Sequence, residues 1–169
     1  METIYFKDAP MQVYGFLPSV GEAAPGFQLA GVDLNTVTLD SFPGKKIVLN
    51  IFPSLDTDVC AMSVRRFNTE AASLSDTAVV CVSMDLPFAM KRFCTANGIE
   101  GVTMASAFRS PAFSQKYGVQ IVDGPLAGLL ARAVIIIDKD RKVVYRELVG
   151  QITDEPDYKT ALAVLKGEI

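Results

Sequence analysis

The sequence predicts an α/β fold in which a mixed central sheet is flanked by helices. Three observations carry the prediction. The runs KIVLNIF (Lys46 to Phe52), AVVCVSM (Ala78 to Met84) and AVIII (Ala133 to Ile137) are nearly continuous in apolar and β-branched residues. Strands covered on both faces read this way. Segments with helical spacing or helix-end residues separate them, the alternation that produces βαβ units. The last run is followed by the polar turn Asp138-Lys139-Asp140-Arg141 and a further strand candidate, Lys142 to Val149, which returns as an antiparallel partner.

Taken in order, Met1 to Gly31 carries Pro10, Pro18 and Pro25. Its short apolar pieces, Ile4-Tyr5-Phe6 and Val13 to Leu17, predict an N-terminal β-hairpin and then an extended loop. After the first buried strand, Val64, Phe67, Ala71 and Leu74 recur at the spacing of one helical stripe, predicting a helix over Val59 to Leu74. Beyond the second strand, Pro87 suits the first turn of a helix running to about Asn97, with Gly98 as its stop. Val102 to Ala105 reads as a short strand, and Ser110-Pro111 as the cap and first residue of a helix ending at Gly118. A last helix is expected from about Pro156 to Lys166. The thioredoxin-like architecture has this order of elements, as do other α/β topologies.

The 169 residues fit one domain with a substantial core; half are hydrophobic and 21% charged. A net charge of −3 argues against nucleic acid as a partner, because a polyanionic backbone calls for a basic face. No apolar run approaches the roughly 20 residues that span a bilayer. The N-terminus shows no charged region followed by an apolar stretch of signal-peptide type, so a cytoplasmic location is expected. Histidine is absent, which removes Ser-His-Asp and Cys-His catalysis and restricts zinc to Cys and carboxylate ligands. The three cysteines, Cys60, Cys81 and Cys94, are spaced too widely for a zinc knuckle or a Cys-x-x-Cys pair.

Cys60 has the placement most suggestive of chemistry. It follows a buried strand by one loop, Pro53 to Val59, and falls in the first turn of the next helix. Ligands of open α/β folds bind beyond the carboxyl ends of strands, where this loop must lie. A helix N-terminus offers free N–H groups and partial positive charge, and both favour a thiolate. Thr57, three residues earlier, is the expected cap, one turn from the sulfur and within hydrogen-bonding reach of it. Pro53 is expected to stiffen the loop and shield the sulfur. Free cysteine is also among the most buried residue types, so placement alone does not separate a reactive thiol from a core one.

Pro53-x-x-x-Thr57-x-x-Cys60 matches the active-site motif of the peroxiredoxins, and PSLDTDVCAMSVRRF resembles that of their thiol peroxidase subfamily, the atypical two-cysteine type. The resemblance continues through DLPFAMKRFC, ending at Cys94, then FRSPAFSQKYGV, DGPLAGLLARAV and ITDEPDYKTAL, and covers nearly the whole chain. It implies a thiol-dependent peroxidase of thioredoxin-like fold acting on hydrogen peroxide and organic hydroperoxides. Cys60 would be the peroxidatic nucleophile, with Pro53 and Thr57 shaping its pocket. Arg132 would stabilise the thiolate and polarise the peroxide, and Cys94 would be the resolving cysteine. Sulfur would carry the redox change, with no metal or organic cofactor required. Thioredoxin is implied as reductant and a homodimer as the assembly.

Two cysteines on separate helices are expected to lie beyond disulfide reach when reduced, so one helix end must unwind for them to join. Cys81, between valines on a buried strand, is expected to be an inert core thiol. Arg109 is left without a catalytic role, and Arg65-Arg66 are placed on a solvated helix face. A thiol–disulfide oxidoreductase, a peroxide-sensing adaptor and a purely structural module are the rival readings; the first is disfavoured by the missing Cys-x-x-Cys pair.

Overall fold

The computed structural model describes residues 1–169. A two-stranded hairpin, β1 (Glu2–Phe6) and β2 (Ala9–Val13), opens the chain. The second hairpin strand therefore lies earlier than the expected Val13 to Leu17. The reversal is made at Lys7 and Asp8, both in the left-handed region (φ 49° and 68°), and Pro10 is tolerated because at its position β2 pairs only with Tyr5 of β1.

Next come β3 (Leu29–Gly31) and β4 (Thr36–Val37), then a single 3₁₀ turn (Leu39–Ser41) capped by Thr38. These short pieces lack a periodic apolar signal, and the sequence pattern does not reveal them. The rest follows the expected order: β5 (Lys46–Ile51), α1 (Asp58–Glu70), β6 (Thr77–Ser83), α2 (Pro87–Asn97) and β7 (Thr103–Ser106). After these come α3 (Pro111–Lys116), β8 (Ala133–Ile137), β9 (Val143–Leu148) and α4 (Tyr158–Leu165). Helix α1 stops at Glu70, short of the expected Leu74; residues 71–76 form turns into β6.

The main sheet has the order β4-β3-β7-β6-β5-β8-β9. Strands β5, β6 and β7 are parallel, whereas β8 is antiparallel to β5 and β9 to β8. This is the thioredoxin-like fold, with a mixed sheet, flanking helices and an N-terminal hairpin. Alternation along β5 divides the core. Ile47, Leu49 and Ile51 join Phe113 and Tyr117 on one face, while Val48 and the following Phe52 join Val64, Phe67, Met90 and Tyr158 on the other. Helices α1, α2 and α4 thus cover one face and α3 the other. Each fully buried aliphatic side chain stabilises by about 1.5–3 kcal/mol relative to exposure.

A third apolar cluster, with Ile4, Met11, Ile121, Ala131 and Ile152, lies beneath the hairpin. Two backbone hydrogen bonds fasten it there: Tyr5 N–H donates to the Gly150 carbonyl at 2.8 Å, and Ile152 N–H donates to the Tyr5 carbonyl at 2.9 Å.

Candidate active site

Because β5 and β6 are parallel, α1 and α2 both begin at the same edge of the sheet. The loop from Phe52 to Thr57 leaves β5 at that edge, and Cys60 is the third residue of α1. The antiparallel register pairs Ile51 at the end of β5 with Ala133 at the start of β8. Arg132, one residue before Ala133, is thereby set beside the loop.

The cysteine and the arginine meet. Arg132 Nη2 donates to Cys60 Sγ at 3.2 Å, and its Nε donates to the Ile152 carbonyl at 2.9 Å. Both residues are buried, Cys60 at 0% exposure and Arg132 at 2%. The remaining guanidinium nitrogen, Nη1, is buried without a hydrogen-bond partner. An unpaired buried donor is costly, and such atoms mark places where another acceptor fits. The guanidinium, a planar fork of donors, thus holds one nitrogen 3.2 Å from the sulfur. The start of α1 adds partial positive charge.

Pro53 is buried at a bend directly after β5. Thr57 is the N-cap of α1 by backbone conformation (φ −100°, ψ 144°), but its side chain makes no capping bond. Its hydroxyl donates instead to the Ser54 carbonyl at 3.1 Å, closing the loop on itself. The expected hydroxyl cap is therefore replaced by a turn within Ser54–Thr57, because the hydroxyl points back along the loop. Its lone pairs stay free to accept.

Cys94 is the eighth residue of α2, half-buried, and all three cysteines are free thiols. Gly98 ends the helix in the left-handed region (φ 63°), its N–H donating to the Cys94 carbonyl. The Ile99 N–H donates to that carbonyl too, at 3.0 Å. Burial pushes the Cys94 thiol up from its ordinary value. The Cys94 side chain faces a cavity of about 540 Å³ between α2 and the β3–β4 turn, also lined by Asn35, Lys91 and Thr103. Cys60 lies in the first turn of α1 and Cys94 toward the end of α2, on separate helices, and no bond links the two sulfurs.

Cys81 is fully buried on β6, and burial pushes its thiol up to about 12. Asn50 Nδ2 donates to its sulfur at 3.7 Å and to Ser63 Oγ at 3.2 Å, while Ser63 Oγ donates to the Cys60 carbonyl at 2.8 Å. This chain supports α1 from the sheet. Arg109 is exposed beside Phe108 at a separate cavity of about 650 Å³ and does not join Cys60. Arg65 and Arg66 are exposed on α1; Arg66 pairs with Glu70 at 2.8 Å and lies over the Tyr158 ring.

Sequence reasoning missed three groups around the site. Ile152 acts through a backbone carbonyl, which side-chain identity does not advertise. Asn50 sits within an apolar strand, where its polarity was the only signal. Asp85, in the loop after β6, accepts from the Leu55 N–H at 2.8 Å and from Ser54 Oγ at 3.2 Å. Its position beyond a parallel strand's carboxyl end was the available clue.

The chain matches the Redoxin family over residues 19–162. It is 53% identical over 165 residues to a thiol peroxidase of Mycobacterium tuberculosis, covering 98% of this chain and 99% of that protein. The crystal structure of a peroxiredoxin-like protein from Aquifex aeolicus superposes with a TM-score of 0.92 at 41% identity, covering 99% of this chain and 97% of the other. A thiol peroxidase from Chromobacterium violaceum, 24% identical, shares the fold with a TM-score of 0.88, over 98% of this chain and 96% of its own. A buried cysteine at a helix start, an arginine with a spare donor and relatives matched end to end agree: the chain belongs to the thiol peroxidase/peroxiredoxin family.

Proposed function

We propose that this protein reduces hydrogen peroxide and organic hydroperoxides with Cys60 and closes a Cys60–Cys94 disulfide that thioredoxin reopens. The observation that carries the reading is Arg132: one nitrogen on the sulfur at 3.2 Å, its neighbour Nη1 buried and unpartnered. A peroxide lying along the guanidinium would have its distal oxygen at the sulfur and its other oxygen as acceptor for Nη1.

The thiolate of Cys60 attacks the distal oxygen and the O–O bond breaks. Sulfur becomes a sulfenic acid, and the departing alkoxide or hydroxide takes a proton to leave as alcohol or water. Donors already aimed at the developing charge lower the barrier because no reorganisation is needed. Thr57, whose hydroxyl keeps accepting capacity, orients the peroxide O–H, and Pro53 keeps bulk water from the sulfur. The Cys94 thiol then condenses with the sulfenic acid, forming the S–S bond and releasing water. A dithiol attacks that disulfide, passes through a mixed disulfide and leaves both cysteines reduced. The named thiol peroxidase relatives and the thioredoxin-like fold support this cycle.

The continuous sheet from β3 to β9 supports a single domain spanning 1–169. Leu86, Phe88 and Phe108, exposed apolar residues after β6 and β7, support a homodimer. No helix is long and apolar enough to cross a membrane. A cytoplasmic location fits a cycle that needs a dithiol reductant. The test is mass spectrometry after one equivalent of hydroperoxide: a Cys60–Cys94 linkage is expected, and an unmodified Cys60 would refute the reading.

A further inference from the structure

The loop after β5 and the last residues of β6 and β7 converge on one residue, Asp85. Asp85 Oδ2 accepts from the Leu55 N–H at 2.8 Å and from Ser83 Oγ at 2.6 Å, while Oδ1 accepts from Ser54 Oγ at 3.2 Å. The Asp85 carbonyl accepts from Ser106 Oγ at 2.5 Å. Ser83 and Ser106 are the paired last residues of β6 and β7, so this hub stands on the rigid sheet. Its reach toward β5 is entirely into the loop that carries Pro53, Ser54 and Thr57. No lysine or arginine pairs with the carboxylate; only N–H and O–H donors hold it. Helix α2, which bears Cys94, begins two residues later, at Pro87.

We infer that Asp85 is a positioning residue that latches the Cys60 loop in its peroxide-reactive arrangement and so sets the choice between reaction with peroxide and disulfide closure. The inference rests on Cys60 being the attacking sulfur. While the latch holds, the loop keeps Cys60 beside Arg132, and a sulfenic acid formed there stays out of reach of Cys94. A second peroxide can then convert it to sulfinic acid, with the peroxide reduced to alcohol. When the latch releases, the start of α1 opens and Cys94 condenses with the sulfenic acid, releasing water. Both reactions draw on the same sulfenic acid, so the latch governs their ratio. Charge-assisted bonds from a backbone N–H and two hydroxyls make a strong tie that a neutral amide would weaken.

The experiment compares wild type, Asp85→Asn and Asp85→Glu. It measures Cys60 oxidation by cumene hydroperoxide, disulfide formation from the sulfenic acid, the sulfinic fraction under excess peroxide, and exchange of the Leu55 amide. For Asp85→Asn we expect Leu55 exchange at least tenfold faster, Cys60 oxidation about fivefold slower, disulfide closure about threefold faster and a smaller sulfinic fraction. Asp85→Glu, keeping both acceptor oxygens, should recover part of each change. Ser83→Ala, which removes one donor to the carboxylate, should shift all four in the same directions and serves if Asp85→Asn does not fold. Closure that slows together with oxidation, or rates and sulfinic fraction within twofold of wild type, would overturn the inference. So would an unchanged Leu55 amide, a failure of the latch alone. A wild-type Cys60 that hydroperoxide does not oxidise would instead sink the peroxidase reading and this inference with it.

Discussion

Arg132 and Cys60 stand 72 positions apart in the chain and 3.2 Å apart in space. The strand register makes the contact. Ile51 opposite Ala133 sets the residue before β8 against the loop after β5, and the Ile152 carbonyl fixes the guanidinium's tilt. The hairpin holds Ile152 in turn through Tyr5.

Arg132→Lys keeps the charge but loses the fork that reaches Ile152 and the sulfur together. Losing a hydrogen bond to a charged group costs about 1.5–3 kcal/mol. The rate of Cys60 oxidation should fall about ten- to hundredfold. Stopped-flow measurement with a hydroperoxide checks this, with circular dichroism to show an intact fold; a change below threefold contradicts the assigned role.

Cys60→Ser should abolish turnover. Cys94→Ser should still reduce one equivalent of peroxide per chain and then stall as a sulfenic acid, which a dimedone adduct at residue 60 would reveal. Sustained thioredoxin-coupled turnover by Cys60→Ser would move the chemistry to another residue.

In reduced Cys60→Ser protein, Cys94 alkylation should rise with a midpoint above the ordinary cysteine value of about 8.5, because burial favours its neutral form. The sign for stability follows. A thiol whose folded value is raised contributes fully below about pH 8.5, and that contribution fades as pH climbs through the folded value. Rates of iodoacetamide labelling from pH 6 to 11 give the midpoint, and one at or below 8 would contradict the burial argument.

In the proposed cycle, joining Cys60, fully buried in the first turn of α1, to Cys94 on α2 requires a helix end to melt. Oxidised protein should therefore show faster amide exchange at the start of α1 or across the last turn of α2. Equal protection in both redox forms would exclude such melting.

Gly98→Ala probes the same step from the other side. At φ 63° a side chain is strained by about 1–2 kcal/mol, although open space surrounds the position. The strain falls on the turn that holds Cys94, so closure from the sulfenic acid should accelerate several-fold while Cys60 oxidation stays unchanged.

Much of this was legible in the residues. KIVLNIF, AVVCVSM and AVIII announce three central strands because burial on both faces leaves no room for polar alternation. Pro87 and Gly98 bracket α2 almost to the residue. What escaped was held by the backbone or by single polar atoms. Strands β3 and β4 are too short for a period, the hairpin turn sits at Lys7 and Asp8 and not at a glycine, and Ile152 contributes only a carbonyl. Cys60, Thr57 and Pro53 stood out by their place at a strand–helix junction, while Cys94 and Arg132 came from motif resemblance. Geometry brings Arg132 to Cys60 and places Thr57 and Pro53 on the loop that leads to it, while Cys94 stands apart.

Strand β8 is apolar at all its positions from Ala133 to Ile137, and every one is buried. Such a run looks the same to its neighbours if it slides by one residue, so hydrophobicity alone does not choose the alignment. Arg132, at the strand's threshold, breaks that degeneracy: displaced by one, its charge would turn to the opposite face and lose both the carbonyl and the sulfur. The side chain that meets Cys60 is therefore also the notch by which the sheet is assembled in step.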